Sequence, residues 1–133
     1  MSRELFIYRL QRSLEAQSDA KMLFAESRLS ATVNRAYYAL FYAVSALLLT
    51  ANLSSAKHSG IRALFNREYV KTGLVGENIG RLYGKAFDFR QKGDYADFVQ
   101  IDGQEVSRIL LDIDGALKEI HELTQSKIGA YSD

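Results

Sequence analysis

The most apolar segment of the chain is ATVNRAYYALFYAVSALLLTA, at residues 31–51. Its large apolar side chains recur every three or four residues, which is the spacing of one face of an α-helix. These residues are Val33, Tyr37, Leu40, Val44 and Leu47. From residue 36 onward the other faces are mostly apolar too, which predicts a central helix that is buried on nearly all sides. The apolar stretch at 36–49 includes three tyrosines and is too short to span a membrane.

Segments on both sides of this helix show the same periodicity. The sequence predicts four further helices, at residues 6–24, 57–72, 77–92 and 106–125. Gly73 and Gly93 stand where a glycine commonly ends a helix, and Asp102 stands where a carboxylate commonly begins one. The chain has no proline, the residue that most often interrupts a helix. These features predict an all-α protein that folds as a five-helix up-and-down bundle.

The composition is typical of one folded domain. With 133 residues, 47% of them hydrophobic and 25% charged, the chain is too apolar to be intrinsically disordered. We expect a single helical domain over residues 1–133, with a core at about 5–125 and a frayed C-terminal tail. The absence of cysteine excludes disulfides and a cysteine nucleophile. Nothing near the N-terminus resembles a signal peptide, so the expected compartment is the cytoplasm.

Charge is distributed unevenly along the chain, although the formal net charge is only +1. Residues 1–93 hold 14 Lys or Arg against 7 Asp or Glu, whereas residues 94–133 hold 3 against 9. One interpretation is that the basic part has an anionic partner such as a nucleic acid. The other is that basic early helices pack beside an acidic last helix and neutralise its field. The sequence leaves both open.

Residues that support metal or hydrolytic chemistry are scarce. His58 and His121 are the only histidines, and no Glu-x-x-His pair is present. The glycines do not form a phosphate-binding loop. We therefore expect no metal and no cofactor. His121 lies near two glutamates on the last predicted helix and is expected to be solvated.

Arg35 and Tyr42 stand out as polar groups within the apolar central helix. Seven residues carry an α-helix almost twice around its axis, so the two side chains lie within about 20° of each other. An arginine there can bind a phosphate through two parallel hydrogen bonds, and a tyrosine can donate a hydrogen bond or stack on a base. The alternative is that Arg35 forms an ion pair with a neighbouring helix while the tyrosines fill the core.

Three motifs resemble those of the HEPN family: NRAYYA at 34–39, KHSGIRALFN at 57–66 and RQKGDY at 90–95. They follow the family's order, and the resemblance covers most of residues 5–125. It implies a helical bundle that usually dimerises and is often paired with a minimal nucleotidyltransferase as toxin and antitoxin. Many members are metal-independent ribonucleases whose motif is an arginine, an adjacent polar residue and, after four to six further residues, a histidine.

Arg35 matches the arginine of that motif, whereas Tyr42 stands where the histidine is expected. A phenol, with a pKa of about 10, is a poor proton acceptor near neutral pH. The candidate catalytic residues are Arg35, Tyr42 and His58. The candidate RNA- or nucleotide-binding residues are Asn34, Arg35, Tyr38, Lys57, Arg62 and Arg67. Arg90 and Asp94 are expected to form a structural ion pair at a helix end.

The resemblance and the missing histidine together predict an HEPN protein that binds RNA or a nucleotide. The expected partners are a second copy of the chain and a minimal nucleotidyltransferase, in a toxin-antitoxin-like pair. Two alternative functions remain open. One is a metal-independent endoribonuclease that acts as a dimer, and the other is a non-catalytic protein-interaction module.

Overall fold

The computed structural model describes residues 3–95 and 101–129, and the side chains of 92–95 lie outside that description. The helices, in chain order, are α1 (Arg3–Ala25), α2 (Leu29–Thr50), α3 (His58–Phe65), α4 (Glu77–Tyr95) and α5 (Gly103–Ile128). A π-helical turn, Asn66–Val70, continues α3. No strand occurs in the described ranges, so the predicted all-α five-helix bundle is confirmed.

Local chemistry explains several helix ends. Gly73 has a φ of +79°, the left-handed conformation that ends the α3 segment. Asp102 precedes α5, and its side chain accepts a hydrogen bond of 2.9 Å from the backbone N–H of Gln104. The prediction that Gly93 ends α4 is wrong, because the helix continues to Tyr95. A glycine inside a helix lowers helix stability by about 1 kcal/mol relative to alanine, and the stability of the neighbouring turns can outweigh that loss.

The third helix is not the single regular helix that the sequence predicts. It changes after Phe65 into a π-helical turn, in which the backbone N–H of Lys71 donates to the carbonyl of Asn66 at 2.8 Å. Tyr69, within this turn, contacts the central helix: its hydroxyl donates a hydrogen bond of 3.3 Å to the Leu47 carbonyl. Tyr69 is therefore both a core ring and a link to α2.

The central position of α2 is confirmed, because it contacts each of the other four helices. Leu40 and Leu47 have no exposed surface. Large side chains from the surrounding helices complete the core, among them Phe65 of α3, Tyr83 of α4 and Ile113 of α5. Burial of this apolar surface is the main favourable contribution to folding. It also fixes the face of α2 that carries the candidate site.

A buried hydroxyl joins three helices. Ser13 of α1 has no exposed surface, and its Oγ donates to the Ala39 carbonyl of α2 at 2.7 Å. The same oxygen lies 3.1 Å from Nε2 of His121 on α5. Since the Ser13 proton is directed to Ala39, Nε2–H of His121 is the donor to Ser13. The prediction of a solvated His121 is therefore wrong, and burial lowers the pKa of its imidazole.

The acidic last helix pairs with the basic early ones. Lys21 of α1 lies 3.0 Å from Asp114, and Lys85 of α4 lies 3.4 Å from Glu105. These contacts support the interpretation in which part of the charge division is internal to the bundle. None of the helices in residues 3–95 and 101–129 combines the length and apolar character needed to cross a bilayer.

Candidate nucleic-acid interface

Four aromatic residues of α2 and one histidine of α3 form a continuous set of ring contacts. We call it the aromatic face; its members are Tyr37, Tyr38, Phe41, Tyr42 and His58. The four-residue spacing of the helix places Tyr38 beside Tyr42, with ring centroids 6.0 Å apart. The closest pair is Phe41 and His58, which stack at 4.3 Å with 14° between their planes. Tyr37 is fully buried, and the other four members are half-buried.

Guanidinium groups from three helices lie over the rings of this face. Arg35 of α2 lies 4.9 Å from the Tyr38 centroid, and Arg90 of α4 lies 5.4 Å from the same centroid. Arg90 also donates to the Tyr38 hydroxyl at 3.4 Å. Arg12 of α1 lies 5.3 Å from the Tyr42 centroid and donates to its hydroxyl at 3.4 Å. Cations at these distances are attracted to the ring faces.

Arg35 borders a depression of about 320 Å³ between α1 and α2. The rest of its lining comes from α1 and the turn after it: Asp19, Met22, Leu23 and Glu26. Among the described side chains, no carboxylate lies within ion-pair distance of Arg35. Of the two alternatives for this residue, the geometry therefore favours an open site over a closed ion pair. Tyr42 does not line this depression, and Tyr38 lies between it and Arg35.

His58 begins α3, and its ring is turned inward onto the aromatic face. Its Nδ1 lies 2.9 Å from the Tyr37 hydroxyl. Burial, and to a smaller extent the Arg90 charge, lowers the pKa of His58 below its ordinary value, while burial raises the pKa of Tyr37. The tautomer of His58 decides the direction of this hydrogen bond: the phenol donates to an unprotonated Nδ1, or a protonated Nδ1 donates to the phenol oxygen.

The remaining predicted binding residues do not gather around Arg35. Arg62 faces α4, where its guanidinium lies 5.2 Å from the Phe87 ring centroid. Arg67 pairs with Glu68 at 3.0 Å within the π-helical turn. Lys57 is exposed, and Asn34 is half-buried next to Arg35 on α2.

Arg90 lies over two rings of the aromatic face. Its guanidinium covers both Tyr37, at 5.2 Å, and Tyr38. The side chain of Asp94 lies outside the described residues, so their predicted ion pair stays a prediction. The most important residue that sequence reasoning missed is Arg12. Nothing in the α1 sequence indicates that Arg12 reaches Tyr42, because that contact depends on how two helices pack.

The described side chains include no group of three or more His, Cys, Asp or Glu that could hold a metal ion. What the aromatic face offers is flat ring surface and guanidinium donors. Groups of these two kinds stack on planar heterocycles and pair with anions. The chain is thus a small helical bundle that carries aromatic and guanidinium groups side by side.

The chain belongs to the HEPN family, whose domain matches residues 7–125. A UPF0332 protein of Thermotoga maritima is 45% identical over 118 residues, which are 89% of each chain. A Methanocaldococcus jannaschii protein named "Putative toxin MJ0142" is 33% identical over 107 residues, 80% of this chain and 71% of that protein. UPF0332 protein glr0978 of Gloeobacter violaceus is 35% identical over 103 residues, covering 77% of this chain and 79% of the relative.

Proposed function

We propose that this HEPN protein is a toxin-like protein that binds single-stranded RNA, or a nucleotide, through the aromatic face. The observation that carries the proposal is the half-buried ring of Tyr38 with the guanidinium groups of Arg35 and Arg90 over it. Aromatic and guanidinium planes both stack on bases, each stack contributing about 1–3 kcal/mol. The similarity to a relative named as a toxin supports the class of function.

The charges around Arg35 favour a base over a phosphate at that position. Asp19 and Glu26 border the same depression as Arg35, and their carboxylates repel a phosphate. The same carboxylates accept hydrogen bonds from an exocyclic amino group, while the guanidinium donates to ring nitrogens and carbonyls. Met22 and Leu23 supply apolar surface for the ring. A base with an amino group thus meets complementary partners there.

The geometry argues against cleavage of the bound RNA. Removal of a ribose 2′-hydroxyl proton requires a positioned base with a pKa near the working pH. Tyr42 is a phenol that accepts a hydrogen bond from Arg12, and the His58 ring is turned inward, stacked on Phe41 with its Nδ1 2.9 Å from the Tyr37 hydroxyl. We therefore propose binding without metal-independent hydrolysis. Intact structured RNA after prolonged incubation with excess protein in a chelator supports this part, and progressive cleavage that depends on Arg35 overturns it.

Two partners follow from the family resemblance: a second copy of the chain and a minimal nucleotidyltransferase. The large apolar side chains exposed along α1 suit the second copy. Ile7, Tyr8 and Leu14 have exposed fractions of 42%, 58% and 58%. Light scattering that gives twice the monomer mass supports the dimer, and a monomer at micromolar concentration overturns it. Co-purification with a nucleotidyltransferase encoded beside this chain tests the second partner.

The binding proposal is tested by fluorescence anisotropy with short labelled RNA homopolymers at fixed salt. Arg35→Gln removes a guanidinium from the Tyr38 ring and should weaken binding by about 1–3 kcal/mol, or roughly 5- to 150-fold. Arg108→Gln removes the same charge from an exposed position of α5 and serves as the matched control. Equal small losses in the two variants would show that only net charge matters. Wild-type protein that binds none of the RNAs would refute the proposed function.

A further inference from the structure

We propose that a second depression, between α3 and α4, is a phosphate-binding subsite. This inference rests on the proposed function, because the phosphate it would hold belongs to the RNA strand bound at the aromatic face. The depression has a volume of about 410 Å³. It is lined by Arg62, Arg81, Gly84, Lys85, Asp88 and Phe89, and we call it the α3–α4 depression.

Gly84 provides the space that lets Arg62 reach across α4. A Cβ placed on Gly84 would lie 2.6 Å from Nη2 of Arg62 and 3.3 Å from its Cζ, so the end of the Arg62 side chain would have to move. A glycine in the middle of a helix lowers helix stability. At this position it also leaves room for the Arg62 guanidinium, which a larger residue would not. The side chain of Arg62 therefore lies directly over the α4 backbone.

The guanidinium of Arg62 contacts an aromatic ring and one carboxylate, and most of its N–H donors remain available. Its Cζ lies 5.2 Å from the Phe87 ring centroid, where the cation is attracted to the ring face. Its Nη1 lies 3.7 Å from Oδ1 of Asp88, beyond normal hydrogen-bond length. Asp88 is the one carboxylate within ion-pair distance of Arg62 among the described side chains. A guanidinium has five N–H donors in a fixed fork, so most of them remain for a phosphate.

Two further cations converge on the same space. Arg81, Lys85 and Asp88 follow one another at four- and three-residue intervals, so they share a face of α4 with Gly84. Arg81 pairs with Glu77 at 3.7 Å and Lys85 with Glu105 at 3.4 Å.

These ion pairs are long, and the side chains that make them are well exposed, so each contributes little. Of the three carboxylates involved, only Asp88 lines the depression. A phosphate would thus meet three cations and one anion.

The depression and the aromatic face are connected through one core ring. The Phe87 ring, which carries Arg62 on one side, lies 5.9 Å from the Tyr37 ring. Arg90, which covers Tyr37 and Tyr38, comes from the same helix as Arg81 and Lys85. A strand bound at the aromatic face would cross α4 beside Arg90 and place a phosphate from further along its backbone in the α3–α4 depression. This arrangement assigns the base to the depression beside Arg35 and the phosphate to Arg62, Arg81 and Lys85.

The first test uses inorganic phosphate and does not depend on RNA. In amide and arginine Nε NMR spectra of the whole chain, phosphate should shift the signals of Gly84, Lys85 and Arg62 in a saturable way. Sodium chloride at the same ionic strength should not. Gly84→Ala keeps every charge but displaces the flexible end of Arg62, so it should weaken the phosphate response at least about fivefold, as Arg62→Gln should. Arg108→Gln should leave it unchanged.

The second test measures RNA affinity against salt concentration. Loss of one phosphate contact to a single strand should reduce the slope of log K against log salt by about 0.7. We expect that reduction in Arg62→Gln and not in Arg108→Gln. RNA binding with slopes equal in both variants, together with no phosphate response at Gly84, overturns the subsite and leaves the proposed function intact. No RNA binding by the wild type, with a phosphate response at Gly84, refutes the proposed function and limits the subsite to free phosphate.

Discussion

Ser13→Ala should destabilise the bundle far more than an ordinary serine substitution. Ser13 is fully buried, and the change removes both its 2.7 Å hydrogen bond to Ala39 and the acceptor of His121 Nε2–H. A buried polar group left without its partner costs about 1–3 kcal/mol. The Ala39 carbonyl keeps its helical partner within α2, so the group left unpaired is the His121 N–H, and we expect a loss of about 1–3 kcal/mol in the free energy of unfolding. That is a large fraction of the roughly 5–15 kcal/mol by which a domain is stable.

Urea unfolding at pH 7.5, followed by circular dichroism, measures this loss. Ser18→Ala on the same helix is the matched control, because Ser18 is exposed and its substitution should change stability by less than about 0.5 kcal/mol. The same Ser13→Ala change should cost less in a His121→Ala background, where the unpaired donor is absent. Equal effects of Ser13→Ala and Ser18→Ala would refute the assignment of a three-helix hydrogen-bond link.

Two other outcomes are expected. Asp19→Ala should weaken the binding of oligo(C) severalfold in anisotropy titrations, because it removes an acceptor for the exocyclic amino group. The affinity for oligo(U), which has no amino group, should not change. Tighter binding of both RNAs would show that Arg35 holds a phosphate. Stability should fall as pH drops below about 6.5, because the unfolded chain then takes up protons that the folded imidazoles of His58 and His121, with lowered pKa values, do not. Urea melts at pH 7.5 and 5.5 measure that loss, which should shrink in His121→Gln; an undiminished loss would contradict the role of this residue.

The helices could be predicted because burial leaves a periodic trace in the sequence. The stripe of α2 and the first-turn carboxylate of α5 are local patterns, and both are reproduced in the fold. Gln17 shows the limit of such patterns. It interrupts the apolar stripe of α1, yet it is 4% exposed and donates to Asp114 of α5 at 2.9 Å. A partner 97 positions away on another helix leaves no mark near Gln17.

The candidate site could be predicted only in part for the same reason. The sequence identified Arg35, Tyr38 and Tyr42 because they are polar or amphipathic residues in an apolar helix. It grouped Arg62 with Arg35 as a candidate binding residue, whereas the fold places Arg62 over Gly84 and beside the Phe87 ring. It also gave no indication that Arg12 contacts Tyr42. Helical spacing places residues on one helix, but the angles between helices decide which of them meet.

The helix α2 both packs in the core and carries most of the aromatic face, and this limits how the aromatic face could be engineered. One side of the helix packs in the core of the bundle. The rings on its other side are positioned by residues of other helices, such as His58 and Arg90. A synthetic peptide with the sequence of α2 would lose those neighbours and, at 22 residues, much of its helicity in water. Grafting the surface onto another scaffold would therefore mean transplanting the entire bundle.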